Sequence, residues 1–225
     1  MAGITLLNFV LAESALELVP KEIRKLPAVA SDAKRRQKEA SDILLDRSFH
    51  HSAMTRLKDS EKRGRPDLVH VTLLDVTGTP LYLDGMVRAF VHTCDDVVLE
   101  FAEKTRIPKN YLRFRGLMEE ALLERPRSGL IRVYPMKVKD LVRRISSDLV
   151  LGLSVQGKQL SLEELAQMAS SAKEPTVVVG GFPHGHFAPE TVSACNQLVR
   201  IHSRPLEAHV VASRMLYEVE KLRAD

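Results

Sequence analysis

Tryptophan is absent from this chain, cysteine occurs twice in 225 residues, and aromatic side chains make up only 5%. Cys94 and Cys195 are too few and too far apart for a disulfide framework, and each reads as a buried small hydrophobe. No apolar run approaches the roughly 20 residues that span a bilayer. The apolar start ITLLNFVLA lacks a basic leader, so the expectation is a cytoplasmic protein that does not enter a membrane. Three signatures of ligand binding and nucleophilic chemistry are missing as well. The glycines do not follow the dinucleotide fingerprint, no Gly-Lys-Ser/Thr ends a P-loop, and no Gly-x-Ser-x-Gly elbow exists. His184 with His186, and His50 with His51, have neither a cysteine partner nor helical ligand spacing, so no metal is expected. Repeats and low-complexity tracts are not seen.

What remains is an ordinary globular composition, 44% hydrophobic and 28% charged, long enough for one large domain or two small ones. The net charge of +4 and isoelectric point of about 9.1 are modest, and they matter only because the basic residues cluster. Apolar periodicity predicts a strand from Ile4 to Leu11, a helix from Glu13 to Val19, a short strand at Ile43 to Leu45 and a helix from Ser48 to Leu57. The charge-dense stretch Ser31 to Ala40 reads as an exposed helix or loop, and Leu68 to Val76 as a buried strand. Short alternating runs with turns at Asp84-Gly85 and Asp95-Asp96 suggest a small antiparallel β insertion at about 79–103. Beyond it, helices are expected at Asn110 to Leu123, Lys137 to Ile145, Ser161 to Ala169 and Pro205 to Leu222. Strands are expected at Leu130 to Tyr134, Leu149 to Val155, Thr176 to Val179 and Gln197 to Ile201. This alternation predicts an α/β fold with a mostly parallel sheet flanked by helices.

Three segments carry chemistry. After Lys104, TRIPKNYLRFRG adds Arg106, Lys109, Arg113 and Arg115 with no acid among them, and threads Tyr111 and Phe114 between. Cations three and four apart beside planar rings suit a phosphate backbone and unstacked bases; a solvated basic helix start is the alternative. TVVVGGFPHGHF runs a β-branched strand into Gly180, Gly181, Pro183 and Gly185. Open α/β sheets place ligands at that end of a strand, where glycines let the backbone come close; the alternative is a plain turn. In EKRGRPDLVH, Gly64 and Pro66 hold Arg63, Arg65 and Asp67 in front of the apolar run. That cluster reads as a site, a structural ion pair, or both.

RGRPDLVH, TRIPKNYLRFRG, GGFPHG and RIHSRPLEAHVVAS follow one another in this order. Together they resemble the SPOUT-class pseudouridine-N1-methyltransferases of ribosome biogenesis, from LAESALELVP to the C-terminal helix, in the short archaeal form. The resemblance implies a single domain over residues 1–225 with a C-terminal trefoil knot, a rare exception to unknotted topology. It implies S-adenosylmethionine as cofactor, held by Leu153, by Gly180, Gly181 and Gly185, and by Ile201, His202, Ser203, Arg204, Pro205 and Leu206. Small-subunit rRNA would be bound through Arg65, Arg106, Lys109 and Arg113. The implied partners also include a second copy in a homodimer, and other assembly factors or ribosomal proteins. Asp67 and Arg65 fall on the catalytic positions, and the implied reaction methylates N1 of a pseudouridine in 16S-type rRNA, with Tyr111 or Phe114 stacking or packing. A non-catalytic rRNA-binding assembly factor and a SPOUT methyltransferase acting on another rRNA atom stand as alternatives. Three positions depart from the family's pattern: Lys109 where some relatives carry arginine, Arg204 where an aromatic is common, and Glu207 where a small polar residue is common. Lys109 keeps the charge but loses the bidentate fork.

Overall fold

The computed structural model describes residues 6–123 and 129–224; Ile4 and Thr5, at the expected start of the first strand, lie outside them. The apolar run near the N-terminus forms β1 (Leu7–Ser14), buried on both faces. It lies at the middle of a sheet with β2 (Val87–Thr93), β3 (Val97–Phe101), β4 (Ile131–Pro135), β5 (Leu149–Gln159), β6 (Pro175–Gly180) and β7 (Gln197–Arg200). The strand order is β4-β3-β2-β1-β6-β5-β7. Strands β2, β1, β6, β5 and β7 are mutually parallel, and β3 and β4 add an antiparallel edge.

Alternation along the strands divides the core in two. Phe9, Leu11, Val177 and Val179 face one layer, which α3 (Pro66–Gly78), α5 (Tyr111–Leu122), α7 (Leu162–Ser170) and α9 (Ala208–Ala224) complete. Val10, Ala12 and Val178 face the other, under α6 (Val138–Arg144) and α8 (Pro189–Ala194). A mixed α/β sheet between helices is therefore what the chain forms. Ser161 starts α7 with a full capping box, its side chain accepting from Glu164 N–H while the Glu164 carboxylate accepts from Ser161 N–H at 2.7 Å. Ser161→Ala should cost about 1 kcal/mol, read as a fall in thermal midpoint of roughly 2–4 °C.

Several expectations are corrected. Glu13 to Val19 is not a helix: β1 runs on to Ser14, and the next backbone groups bond distant partners. Ala15 N–H donates to the Gly181 carbonyl at 2.8 Å, and the Ala15 carbonyl accepts from Arg65 N–H at 3.0 Å. With those groups engaged elsewhere, no helical ladder can form. Leu68 to Val76 is part of α3 rather than a strand. Its buried residues are Leu68, Val69, His70, Thr72, Leu73 and Val76, grouped on one helical side that Pro66 starts at the first turn and that β-branched side chains mask. Ile43 to Leu45 makes only an isolated bridge, Leu18 with Leu44.

Leu81 to Leu83 lie in the short helix α4 (Pro80–Leu83) rather than in a strand, and β2 and β3 pair antiparallel within the main sheet. Cys94 lies exposed in the β2–β3 turn, not in the core, with its thiol directed at Glu17. The charge-dense stretch ends helix α1 (Pro27–Arg36), and its cations are not simply solvated. The fully buried Glu119 carboxylate of α5 accepts from Arg36 at 2.6 Å, Lys38 at 2.7 Å and Leu44 N–H at 3.0 Å. Those bonds fix α5 against the N-terminal segments. Among the described residues no helix is long and apolar enough to cross a membrane.

Candidate active site

The carboxyl ends of β5, β6 and β7 open into three loops that enclose a cavity of about 280 Å³. Leu153, Val179, Val199, Leu206 and Val211 supply apolar walls, Gly180 and Gly185 offer bare backbone, and His184, His202 and Arg204 stand among the lining residues. Among the described residues no carboxylate lines it. Of the residues singled out from the sequence for the cofactor, Leu153, Gly180, Gly185, Ile201, His202, Arg204, Pro205 and Leu206 line this cavity, while Gly181 and Ser203 do not. Gly181 is a packing glycine. A Cβ there would meet Ser14 Oγ at 2.3 Å and Ser14 Cα at 2.8 Å.

Arg65 stands at the N-cap of α3 and Asp67 lies in its first turn. Their pairing is bidentate, Arg65 Nε donating to Asp67 Oδ1 and Nη2 to Oδ2, both at 2.8 Å. The Asp67 hydrogen bonds raise the Arg65 pKa against partial burial, helped by the charges of Asp67, Glu207 and Asp46. Burial pushes the Asp67 carboxyl up, but the Arg65 hydrogen bond and charge, with the Leu68 backbone N–H, hold it below the usual range. Glu207, whose charge acts on Arg65, directly follows the cavity residue Leu206. The Ala15 backbone links the two segments, its carbonyl accepting from Arg65 N–H and its N–H donating to the Gly181 carbonyl.

Arg106, Lys109 and Arg113 are all exposed around the start of α5, which Asn110 caps through Arg113 N–H at 3.2 Å. His70 of α3 holds this turn: its Nε2 lies 2.7 Å from the Pro108 carbonyl and its ring stacks on Phe114 at 4.4 Å. Arg65 and Asp67 stand at the start of α3 and the three cations around the start of α5, two helices that His70 ties together. Phe114 is fully buried, which makes it core and removes it as a base-stacking residue. Tyr111 is half-buried and donates its hydroxyl to Asp46; burial and that acidic partner push its pKa far up. Arg115 leaves the exposed basic row, being buried beneath the Phe49 ring with its guanidinium carbon 5.5 Å from the ring centre.

Among the described residues, Glu17, Cys94 and Asp95 are the group close enough to share a metal ion. Arg63 already donates to Glu17, through Nε at 2.7 Å and again through Nη2, so that carboxylate's charge is met without a metal.

The family profile for EMG1/NEP1 methyltransferase matches residues 9–220. The chain belongs to the EMG1/NEP1 methyltransferase family. It is 39% identical over 221 residues to the ribosomal RNA small subunit methyltransferase Nep1 of Staphylothermus marinus, covering 96% of each chain. Against the Nep1 of Thermococcus onnurineus it is 37% identical over 222 residues, covering 96% of this chain and 98% of the relative. The crystal structure of Archaeoglobus fulgidus Nep1 bound to S-adenosylhomocysteine superposes with a TM-score of 0.85 at 37% identity, covering 99% of this chain and 100% of that one.

Two residues of this EMG1/NEP1 fold were not anticipated from its sequence. Lys62 Nζ reaches the Glu13 carboxylate at 2.9 Å and also the His186 carbonyl of the β6 loop. Both stand in segments that carry the resemblance or adjoin it, Glu13 in LAESALELVP and Lys62 just before RGRPDLVH. Their partnership spans 49 positions, and no local pattern announces it.

Proposed function

We propose that the protein transfers a methyl group from S-adenosylmethionine to N1 of a pseudouridine in small-subunit rRNA. It does so as a cytoplasmic homodimer whose single domain, residues 1–225, carries a C-terminal trefoil knot. The observation that carries this reading is the union of the two halves of a site. A glycine-lined cavity at the β5–β7 ends is joined, through the backbone of one residue, Ala15, to an Arg–Asp pair bordering an exposed cationic face. Similarity to a Nep1 structure that holds S-adenosylhomocysteine supports the cofactor.

The cavity's chemistry fits such a ligand. Leu153, Leu206 and Val211 offer apolar walls for a purine, Gly180 and Gly185 expose backbone groups for its edges, and Arg204 is available to a carboxylate. When bound, S-adenosylmethionine supplies an electrophilic methyl group.

Pseudouridine carries a free N1–H where uridine has its sugar, so a nucleophile exists only after isomerisation. Arg106, Lys109 and Arg113 take the phosphates and set the register of an extruded nucleoside. As N1 loses its proton, negative charge grows on the base carbonyls and the Arg65 guanidinium stabilises it. Asp67, ionised and already paired at both oxygens, orients Arg65 rather than accepting the proton, which leaves to solvent. Holding N1 in line with the methyl carbon supplies much of the remaining acceleration.

Mass spectrometry of a pseudouridine-containing hairpin incubated with protein and cofactor tests the assignment. One N1-methyl per hairpin, with a uridine control unmodified, is expected; no transfer by folded protein that binds S-adenosylhomocysteine would remove the catalytic reading in favour of a binding factor. Reversing Arg106 and Arg113 to glutamate should weaken hairpin binding and lower the salt dependence by about one unit of slope per residue. Titration calorimetry should then show S-adenosylhomocysteine affinity unchanged.

A further inference from the structure

We propose that Lys62 is a positioning residue that fixes the β6 loop, residues 182–188, to the segment bearing Arg65 and Asp67. The proposal rests on reading the β5–β7 cavity as the cofactor site. Lys62 closes the turn Ser60–Lys62, three positions before Arg65. Its Nζ has three partners: the Glu13 carboxylate at 2.9 Å, the His186 carbonyl, and the face of Phe182 with the ring centre at 4.2 Å. Glu13 completes the clamp, its other oxygen accepting Ala188 N–H at 2.7 Å. Glu13 itself has φ 50, a conformation unfavourable for a side-chain-bearing residue and retained only where the surroundings enforce it. Here the enforcement includes its N–H, which donates to His92 Nδ1 at 3.2 Å.

Between Gly181 and Ala188 the loop makes no backbone-to-backbone hydrogen bond among the described residues. Its polar anchorage therefore runs through Lys62 and Glu13. Gly185, at φ 95, leaves room for the lysine stem, since a Cβ there would stand 3.0 Å from Lys62 Cε. Beyond Lys62 the same segment is tied down twice more, Arg63 to Glu17 and Arg65 N–H to the Ala15 carbonyl. Residues 62–65 thus bind 13–17 at successive points, and one rigid strut carries both the loop that borders the cofactor and the pair that faces the base. Lys62 does not line the cavity, so its effect is exerted through the loop.

The test is calorimetry with S-adenosylhomocysteine, followed by steady-state kinetics at varied cofactor, on wild type, Lys62→Gln, Lys62→Arg and Glu13→Gln. Wild-type binding must come first; a wild type that fails to bind overturns the cavity assignment and this proposal with it. Given that binding, Lys62→Gln is expected to weaken it about tenfold and raise the KM for cofactor similarly, with kcat at saturation retained, because charge-assisted bonds are lost. Lys62→Arg is expected to recover most of the loss. Glu13→Gln, which keeps an acceptor for Ala188 N–H, reads the same clamp from its other side where Lys62→Gln is too unstable to titrate. Cofactor affinity and KM at wild-type values in a folded Lys62→Gln or Glu13→Gln protein would overturn the proposal. A fall in kcat with KM unchanged would overturn it equally.

Discussion

Arg65→Ala is expected to lower kcat by about 10²–10³-fold while S-adenosylhomocysteine binds within about twofold of wild type. The guanidinium is fixed by two 2.8 Å bonds to Asp67, so it meets developing charge without reorganising. It is partly exposed and is not one of the cavity's lining residues, which separates the chemical step from cofactor binding. Single-turnover rates on a pseudouridine hairpin measure the first quantity and calorimetry the second. Asp67→Asn should give a smaller loss, since an amide can still hold one arm of Arg65. Asp67 is held below the usual carboxylate range and stays ionised through neutral pH. The rate should therefore show no inflection near neutrality that Asp67→Asn removes. Such an inflection would make Asp67 the proton acceptor.

Gly157→Ala is expected to destabilise the protein by about 3 kcal/mol, lowering the thermal midpoint by roughly 6–12 °C. A Cβ at this position would lie 2.4 Å from both Leu198 C and Val199 N. Those are backbone atoms of β7 and have no rotamer to yield. The close approach comes where β5 returns to β7 after its register shift, so relief at Gly157 would pull apart the strands beneath the cavity. Gly116→Ala is the matched control, with nothing within 4 Å of its added methyl. In the interior of α5 it should stabilise by about 0.5–1 kcal/mol. Differential scanning calorimetry of the two variants distinguishes this packing effect from a general intolerance of alanine.

Where local pattern and tertiary context agree, the fold was legible. The apolar runs of β1 and β6 and residues 150–152 of β5 are buried on both faces, and Ser161 with Glu164 announced α7 in full. Where one element borrows another's hydrogen bonds, the pattern misled. Residues 13–19 have helical spacing, but Ala15 spends its N–H on Gly181 and its carbonyl on Arg65. The run from Leu68 is rich in strand-forming residues, yet its buried positions repeat with a helix's period. For the site, GGFPHG and RGRPD announced themselves through glycine, proline and charge. Gly181 reads as a cofactor glycine in the sequence, but what constrains it is Ser14 at the end of the neighbouring strand β1, far away in sequence. Phe114 showed the reverse problem, for an aromatic between cations reads as a stacking platform until its burial against His70 is known.

The most direct measurement is a crystal structure of the protein with S-adenosylhomocysteine. The ligand is expected between the loops after Gly180 and Ile201, with its sulfur turned toward Arg65 and Asp67. A ligand bound elsewhere, or one in that cavity whose sulfur faces away from the Arg–Asp pair, would contradict the union of cofactor pocket and base-facing arginine.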